Sequence, residues 1–285
     1  MLGHKVWQRA RGRLDAWVTL REPPPAGAQD LFDPARTLVG VDARRFDTVV
    51  AALEAVRPAA VVNAIGLVKQ KAAARDVPAL IEVNALFPQL LARLAAERGL
   101  RLIHVSTDCV FSGARGGYGE DDPPDPTDPY GRSKLLGEPG EPTCLTLRTS
   151  LVGRELRGTH GLLEWLLARR GRRVAGYSRA FFSGLSTLRF ADLLVTLLTE
   201  HPGLHGLYHV ATAPISKRDL LALLGCAYAA GVEIDDTPEP ALDRSLDARR
   251  FWQALALRPP DWAGMAAELA ADPSPYDDWR QSREP

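Results

Sequence analysis

Tyr130 and Lys134 stand four residues apart in "YGRSKLLGE", a stretch predicted to be helical. That spacing puts both side chains on one face of a helix, one turn apart. A phenol titrates near ~10, and a neighbouring ammonium favours its charged form, so the pattern predicts a lowered pKa for Tyr130. Thr107, at the end of an earlier apolar run, could hold a reacting oxygen by a hydrogen bond. The three residues predict proton exchange with an alcohol or a ketone.

A tyrosine and a lysine at this spacing are a weak indication alone, because chance produces the pair in many chains. The alternative is a surface tyrosine and a solvated lysine. The run before the pair, "LIHVSTD", makes the pattern more specific. It predicts a buried strand that ends in polar residues, and open α/β sheets bind their ligands at the carboxyl ends of such strands.

The first half of the chain alternates short apolar runs with longer helical periods. This rhythm predicts an α/β fold, a Rossmann-like doubly wound parallel sheet covered by helices. The predicted strands lie in "DAWVTL", "TLVGVD", "AAVVNAIG", "LRLIHVSTD" and "CLTLRTSLVG". Near residue 150 the rhythm loosens. We therefore expect a dinucleotide-binding domain over residues 1–150 and a mainly substrate-binding subdomain over 151–285, with some segments returning to the sheet.

The composition is that of an ordinary globular protein. The chain has 285 residues, with 35 Lys plus Arg and 35 Asp plus Glu, so its formal net charge is zero. No strong field is expected to attract nucleic acid or an acidic membrane. Its 3 cysteines have no metal-like spacing and fit a reducing compartment. We expect no apolar run that approaches the ~20 residues of a membrane span and no leader, and therefore a cytoplasmic protein without a metal site.

Several short motifs occur together in one order along the chain: "VVNAIG", "VNALFP", "LIHVSTDCVFSG", "YGRSKLLGE" and "LRTSLVG". They resemble the extended short-chain dehydrogenase/reductase superfamily, and within it the dTDP-4-dehydrorhamnose reductase type. The resemblance implies a Rossmann domain with a smaller sugar-nucleotide domain. It also implies that Thr107, Tyr130 and Lys134 are the catalytic trio and that Lys134 contacts the nicotinamide ribose.

Further site residues follow from the resemblance alone. Asn63, Ala64 and Ile65 would line the cofactor, Asp42 would lie near the adenine, and Asn84 would lie near the floor of the active site. The alternative for Asn63 is a polar cap at a strand end. For Asn84 it is a helical residue whose hydrogen bonds are satisfied within the protein.

The first residues, "MLG", resemble the end of the family's glycine-rich turn, G-x-x-G-M-L-G, with Gly3 as its last glycine. Such a turn lets the backbone approach a pyrophosphate at the amino end of a helix. We expect the first strand and the two earlier glycines to lie upstream of Met1. The alternatives are a lost dinucleotide site and a sheet completed by another chain. Under each of these three explanations, we expect residues 1–285 by themselves to bind a dinucleotide weakly.

The cofactor is predicted from "TLRE", where Arg21 and Glu22 follow the first predicted strand. An acid at this place accepts hydrogen bonds from the ribose of NAD, whereas an arginine suits the extra phosphate of NADP. Because Arg21 comes directly at the strand end, we expect NADP, with NAD possible. The alternative is an exposed loop arginine.

The residues after Thr107 bear on the type of reaction. Dehydratases of the superfamily carry Thr-Asp-Glu where this chain has Thr107, Asp108 and Cys109, which favours simple reduction of a 4-keto group. A 3,5-epimerase/4-reductase of the GDP-fucose synthase type is an alternative, since Cys109 and His160 occupy places similar to its acid/base pair. A packed cysteine and a surface or helix-capping histidine are the plainer interpretation.

The expected substrate is a nucleotide sugar. Arg148, Arg179 and Arg189 are candidates for binding its pyrophosphate, with solvated arginines as the alternative. The predicted function is NADP-dependent reduction of a 4-keto-deoxysugar nucleotide in surface polysaccharide or deoxysugar biosynthesis, by a possible homodimer. The alternative from another class is a noncatalytic sugar-nucleotide-binding or regulatory subunit, like the regulatory β subunit of methionine adenosyltransferase, which resembles the same family.

Overall fold

The computed structural model describes residues 1–68 and 76–281. Its α-helices are α1 (Leu2–Ala10), α2 (Phe46–Val56), α3 (Val77–Leu80), α4 (Phe87–Glu97), α5 (Pro129–Leu136), α6 (Leu162–Leu167), α7 (Thr187–Thr199), α8 (Lys217–Ala227), α9 (Arg249–Leu255), α10 (Trp262–Ala270) and α11 (Tyr276–Gln281). Its strands are β1 (Val18–Leu20), β2 (Thr37–Val39), β3 (Ala60–Asn63), β4 (Arg101–Thr107), β5 (Cys144–Thr149), β6 (Leu151–Val152), β7 (Arg173–Tyr177), β8 (Ala180–Phe182), β9 (Leu185–Ser186), β10 (Gly206–His209), β11 (Ile215–Ser216), β12 (Glu233–Thr237) and β13 (Leu242–Asp243).

A parallel sheet in the order β10-β5-β4-β3 forms the centre of the protein. Its middle strands are buried on both faces: Leu102, Ile103, Leu145 and Leu147 are 0% exposed. Continuous apolar runs of this kind are typical of parallel strands covered by helices on both sides. The α/β fold predicted from the sequence is confirmed.

β1 and β2 form a separate parallel pair. Val41, which follows β2, belongs to the same apolar cluster as Phe87 and Leu91 of α4 and Leu102 of β4, so the pair shares a core with the central sheet. Within the described residues, β1 pairs only with β2, and β3 pairs only with β4. One edge of β1 and one edge of β3 therefore have no strand partner in this part of the chain.

The long helix predicted after β3 contains a π-helical turn, Ile81–Leu86, between α3 and α4. Pro88 explains the irregularity, because it has no N–H to donate to the carbonyl of Asn84 four residues earlier. That carbonyl instead faces α5: a Cβ added to Gly137 would lie 1.8 Å from the Asn84 oxygen. Gly137 thus lets the end of α5 approach the π-helical turn closely.

The same segment corrects one expectation about apolar length. Val77–Glu97 is 21 residues long with a mean hydropathy of 1.3 in its most apolar window, so by length and composition it could cross a membrane. However, 56% of that window is buried inside the protein. The core helices of soluble proteins pass the same test, so this segment is a weak indication of a membrane span.

The second half of the chain builds smaller sheets and also contributes to the central one. β7 pairs with β12, and β8 pairs with β11 and β13. β10 joins β5 in the central sheet, although it comes from beyond residue 150. α11, which the sequence did not predict, packs Tyr276 and Trp279 against Trp7 of α1.

Candidate active site

The candidate site is built where β4 ends. Thr107 is buried, and its hydroxyl accepts a hydrogen bond from the N–H of Cys109 (3.2 Å) and donates to Asp108 Oδ1 (3.1 Å). It thereby caps a single 3-10 turn, Asp108–Val110, that turns the chain away from the sheet. A short polar side chain favours this position because it satisfies a free backbone amide.

α5 brings the tyrosine to the same place. Asp128 caps its first turn by accepting from the N–H of Gly131 (2.8 Å), and Pro129 suits the first helical position because it needs no N–H partner. Gly131 allows a very close approach, since an added Cβ would lie 2.2 Å from the carbonyl oxygen of Cys109. The first turn of α5, with Tyr130, therefore packs directly on the turn that follows Thr107.

Tyr130 lies against polar groups of the strand end, and its pKa differs from the sequence expectation. Burial raises the pKa of Tyr130, and the nearby groups of Cys109 and Asp108 raise it further, whereas a hydrogen bond with Thr107 acts in the opposite direction. The prediction of a lowered pKa was wrong, because removal from water outweighs any favourable contact. Tyr130 therefore keeps its proton at neutral pH and is suited to donate it.

Lys134 lies one helical turn further along α5 and is buried. Its Nζ donates to the carbonyl oxygen of Val105 on β4 (2.7 Å). Burial lowers the pKa of Lys134 to about 8, although the carboxylate of Glu138 acts in the opposite direction. The structure thus places all three predicted catalytic residues along β4: Tyr130 in contact with Thr107, and Lys134 on the carbonyl of Val105.

Asn84 connects this helix to the loop after β3. Its Oδ1 accepts from the N–H of Leu67 (2.8 Å), and its Nδ2 donates to the Leu67 carbonyl (3.0 Å) and to Ser133 Oγ (3.2 Å). All of these partners belong to the protein, which agrees with the alternative that Asn84 is a helical residue whose hydrogen bonds are satisfied internally. The contact with Ser133, the residue before Lys134, ties Asn84 to α5. Its place near the floor of the active site stays a prediction.

The residues at the end of β3 differ in burial, and so in how well they match their predicted role at the cofactor. Asn63 is buried, accepts from the N–H of Ile65 (3.0 Å) and pairs with His104 Nδ1 (3.1 Å), which is the geometry of a strand-end cap. Ala64 is half-buried, and Ile65 is 37% exposed. Ala64 packs partly against the main apolar core, and Ile65 is the more accessible of the two.

Arg148 does not lie where a substrate phosphate could reach it. Its guanidinium forms two hydrogen bonds with the Glu138 carboxylate (2.8 and 2.7 Å) and contacts His209 Nε2 (3.3 Å). Ser106 Oγ donates to the same carboxylate (2.6 Å). The prediction of phosphate binding by Arg148 was wrong, because burial of its charge requires an internal partner. Glu138 is the last residue of the motif "YGRSKLLGE", but the sequence analysis did not predict it as the partner of Arg148.

The other two predicted arginines are exposed and paired elsewhere. Arg179 lies 3.8 Å from Glu239, and Arg189, at the start of α7, pairs with Glu268 of α10. Neither pair includes a residue of the Thr107–Tyr130 site. Their proposed contact with a pyrophosphate stays a prediction.

A further cation at the strand end was missed entirely. Arg244 donates to the Phe111 carbonyl (2.9 Å), contacts Cys109 Sγ (3.8 Å) and acts electrostatically on the buried Asp108, whose pKa is raised by burial. Asp108 also accepts from Ser150 Oγ (2.9 Å). Arg244 comes from the far end of the chain, so only the folded structure could connect it to this site.

The geometry does not favour the Cys109–His160 acid/base pair. Burial, followed by the charge of Asp108, raises the pKa of Cys109 to about 12. His160 is exposed, and its backbone N–H donates to Glu155 Oε2 (3.0 Å). The contacts of the two residues thus belong to different neighbourhoods, as the plainer interpretation predicts.

The residues predicted for the other end of a dinucleotide lie on the surface. Arg21 and Glu22 form an exposed pair (2.7 Å) just after β1. Asp42 accepts from the N–H of Arg44 (3.0 Å). Gly3 is exposed in the first turn of α1, with open space around its Cβ position, and that turn has no side-chain cap. An open glycine at a helix start without a side-chain cap and an exposed arginine near a strand end fit the phosphates of NADP.

The sequence profile of the RmlD substrate binding domain family matches residues 26–223. The chain belongs to this family. Over 182 residues it is 37% identical to a probable dTDP-4,6-dihydroxy-2-methyloxan-3-one 4-ketoreductase of Streptomyces antibioticus. That match covers 61% of this chain and 60% of the Streptomyces protein, so it spans less than two thirds of that relative's length.

Solved structures of similar fold bind nicotinamide cofactors. A dTDP-4-dehydrorhamnose reductase from Bacillus anthracis, in complex with NADP, superposes with a TM-score of 0.74 at 19% identity, over 90% of this chain and 98% of that one. A UDP-glucose 4-epimerase from Thermus thermophilus, in complex with NAD, gives 0.76 at 20% identity, over 96% and 97%. At these identities the likeness establishes the doubly wound fold.

Proposed function

We propose that this protein catalyses the NADP-dependent reduction of a 4-keto-deoxysugar nucleotide, in surface polysaccharide or deoxysugar biosynthesis. The observation that carries the proposal is the contact of a protonated Tyr130 with Thr107 at the end of β4, with Lys134 one turn away. The family membership and the 4-ketoreductase name of the Streptomyces relative support the same reaction.

In this proposal the three residues share the work of moving one proton. Tyr130 donates the proton of its hydroxyl to the keto oxygen as that oxygen gains negative charge. Thr107 donates a hydrogen bond to the same oxygen and orients it. Lys134 supplies a positive charge that stabilises the phenolate left on Tyr130. NADPH, when bound, supplies the hydride that reduces the carbonyl carbon.

The proposal extends to the division of the chain and to its setting. Residues 1–150 would bind the dinucleotide, with Lys134 at the nicotinamide ribose and Arg21 near the adenosine. Residues 151–285 would mainly bind the sugar nucleotide. A cytoplasmic setting is part of the same proposal. A homodimer stays a prediction.

The direct experiment mixes the purified protein with NADPH and a dTDP-4-keto-6-deoxysugar and follows the absorbance of NADPH. We expect consumption of NADPH that requires the sugar nucleotide, and a product reduced at C4 by mass spectrometry. A noncatalytic subunit would bind these ligands without consuming NADPH. That result, with a folded protein, would contradict the proposal.

A further inference from the structure

The segment between β6 and α6, residues 153–161, reaches across the protein to β1. We call it the strap. Arg157 of the strap donates to Glu22 Oε2 (3.2 Å) and to the Pro23 carbonyl (3.1 Å), both just beyond the carboxyl end of β1. Glu22 is thereby held between two guanidinium groups, since Arg21 donates to its other oxygen (2.7 Å).

The backbone of the strap is fixed by buried polar contacts. Arg154 pairs with the buried Glu164 (2.7 Å), and Arg280 of α11 donates to the carbonyls of Glu155 (2.9 Å) and Gly158 (2.8 Å). The carboxylate of Glu155 in turn accepts from the N–H of Gly161 (2.8 Å). Arg157, by contrast, has a side chain that is 44% exposed. A half-exposed guanidinium therefore projects from a backbone held by polar contacts.

The contacts of Arg157 place its guanidinium just beyond the carboxyl end of β1, the end of the strands at which this fold binds ligands. In a doubly wound sheet, the order of the strands proceeds outward in both directions from the middle. Ligands bind outside the carboxyl ends of the strands, at the point where this order reverses. Here β1 and β2 form one parallel pair, and β3, β4, β5 and β10 form the other parallel sheet, so the doubly wound order places the reversal between β1 and β3. The strap leaves from β6, after β5, and its Arg157 contacts the residues just beyond the carboxyl end of β1, on the β1 side of that reversal.

We propose that Arg157 determines cofactor preference by binding, together with Arg21, the 2′-phosphate of NADP. The inference rests on the proposed function. The residue after the strand end in this position contacts the adenosine ribose in dinucleotide-binding folds. A phosphate monoester carries about −1.5 to −2 charge and three acceptor oxygens, more than the carboxylate of Glu22 offers. It therefore draws both guanidinium groups away from Glu22.

The exchange costs little, because the existing ion pairs are weak. The side chains of Arg21, Glu22 and Arg157 are 63%, 53% and 44% exposed, and exposed pairs contribute little net stability. Without a 2′-phosphate, Glu22 can instead accept from the ribose hydroxyls of NAD. The cluster thus admits both cofactors and prefers NADP through its two arginines.

The test compares Arg157→Ala with wild type by titration of NADPH and NADH, followed by nicotinamide fluorescence. Arg93→Ala is the matched control, since Arg93 forms an exposed pair with Glu97 (3.1 Å) on α4. We expect Arg157→Ala to weaken NADPH about tenfold, the loss of one charged phosphate contact, with NADH changed less than about twofold. The ratio of the dissociation constants for NADPH and NADH can be measured even when both cofactors bind weakly.

Competition by 2′,5′-ADP and 5′-ADP separates the 2′-phosphate from the pyrophosphate, because only the first ligand carries a 2′-phosphate. Arg157→Ala should weaken 2′,5′-ADP and spare 5′-ADP. Equal losses for both would assign Arg157 to the pyrophosphate and overturn the inference, as would an unchanged NADPH-to-NADH ratio, while leaving the proposed reductase intact. Failure of the wild-type protein to bind either dinucleotide would contradict the proposed function itself.

Discussion

The two ends of the proposed dinucleotide crevice differ in how they hold charge. At the β4 end, Tyr130 and Lys134 are withdrawn from water, and burial is the largest cause of the shift in the pKa of each. At the β1 end, the pKa of Glu22 is lowered chiefly by its hydrogen bond to Arg21, and all the charges are exposed. Burial keeps a proton on Tyr130 and so defines a proton donor, whereas the exposed charged side chains at β1 can exchange partners.

The buried end needs internal partners that the exposed end does without. Glu138 has a carboxylate bonded to Arg148 and Ser106, and it also favours the charged form of Lys134. This pair ties the end of α5 to β4 and β5. The comparison therefore predicts large effects of substitution at the β4 end and small, ligand-dependent effects at the β1 end.

Tyr130→Phe should give the largest effect. Removal of a general acid costs about 10²–10⁴ in rate, and because the ring is retained, the free energy of unfolding should change by less than about 1 kcal/mol. Steady-state kinetics with NADPH and the keto sugar nucleotide measure the first, and urea unfolding the second. Tyr177→Phe, at a tyrosine 37% exposed, is the matched control. Retention of full activity by Tyr130→Phe would remove Tyr130 from the mechanism.

Glu138→Gln should be the most destabilising change. It leaves Arg148 buried without a countercharge, which costs about 3–5 kcal/mol in the free energy of unfolding. Glu97→Gln breaks the exposed pair with Arg93 and should cost less than about 1 kcal/mol. Urea unfolding of both variants gives the comparison. Equal losses would show that the buried and exposed pairs do not differ as described.

Asn84→Ala should have an intermediate effect. It leaves the N–H and carbonyl of Leu67 without their side-chain partner, which costs about 1–3 kcal/mol. Because Ser133 also loses a hydrogen bond next to Lys134, the variant should be slower as well as less stable. Gln89→Ala, at an exposed amide bonded to the end of α5, is the control. An Asn84→Ala protein as stable as this control would contradict a role of Asn84 in holding the loop at Leu67 against α5.

The pH dependence of the rate should follow Lys134. With its pKa at about 8, Lys134 is charged below that pH and loses its charge as the pH rises through it. The raised pKa of Tyr130 keeps the phenol protonated over the same range, so the rate should fall above pH about 8 because of Lys134. Lys134→Arg should move this limb to higher pH, since a guanidinium stays charged. Lys217→Arg should leave it in place.

The smallest effect is expected at the exposed end. Glu22→Gln removes the carboxylate that competes with a 2′-phosphate, so NADPH should bind slightly more tightly and NADH slightly more weakly. Fluorescence titration with both cofactors measures the change, and the stability should stay within about 0.5 kcal/mol of wild type. A large loss of stability would place Glu22 among the buried, structural charges.

The sequence predicts the elements of this fold well because their patterns are local. The strands around Ile103 and Leu145 are continuous apolar runs, and α2 and α7 follow helical spacing up to their ends. The π-helical turn at Asn84 and the helix at Tyr276 escaped prediction. The first arises from a missing amide at Pro88, and the second is held by contacts with α1, which lies at the other end of the chain.

The candidate site is only partly local. Tyr130 and Lys134 are on one helix, so their spacing revealed them, and Thr107 ends a recognisable strand. Arg244 and Arg157 approach from remote segments, and no pattern connects them to Cys109 or Glu22. The direction of the Tyr130 pKa was missed for the same reason, because it depends on burial among residues of β4 and α5 that only folding assembles.

The most direct measurement uses NADPH that carries deuterium at the transferable position of the nicotinamide ring. We predict a product with deuterium on C4 of the sugar from the wild-type protein, and a far slower appearance of that product from Tyr130→Phe. Unlabelled product, or labelled product formed at the same rate by both proteins, would contradict a reduction in which Tyr130 supplies the proton.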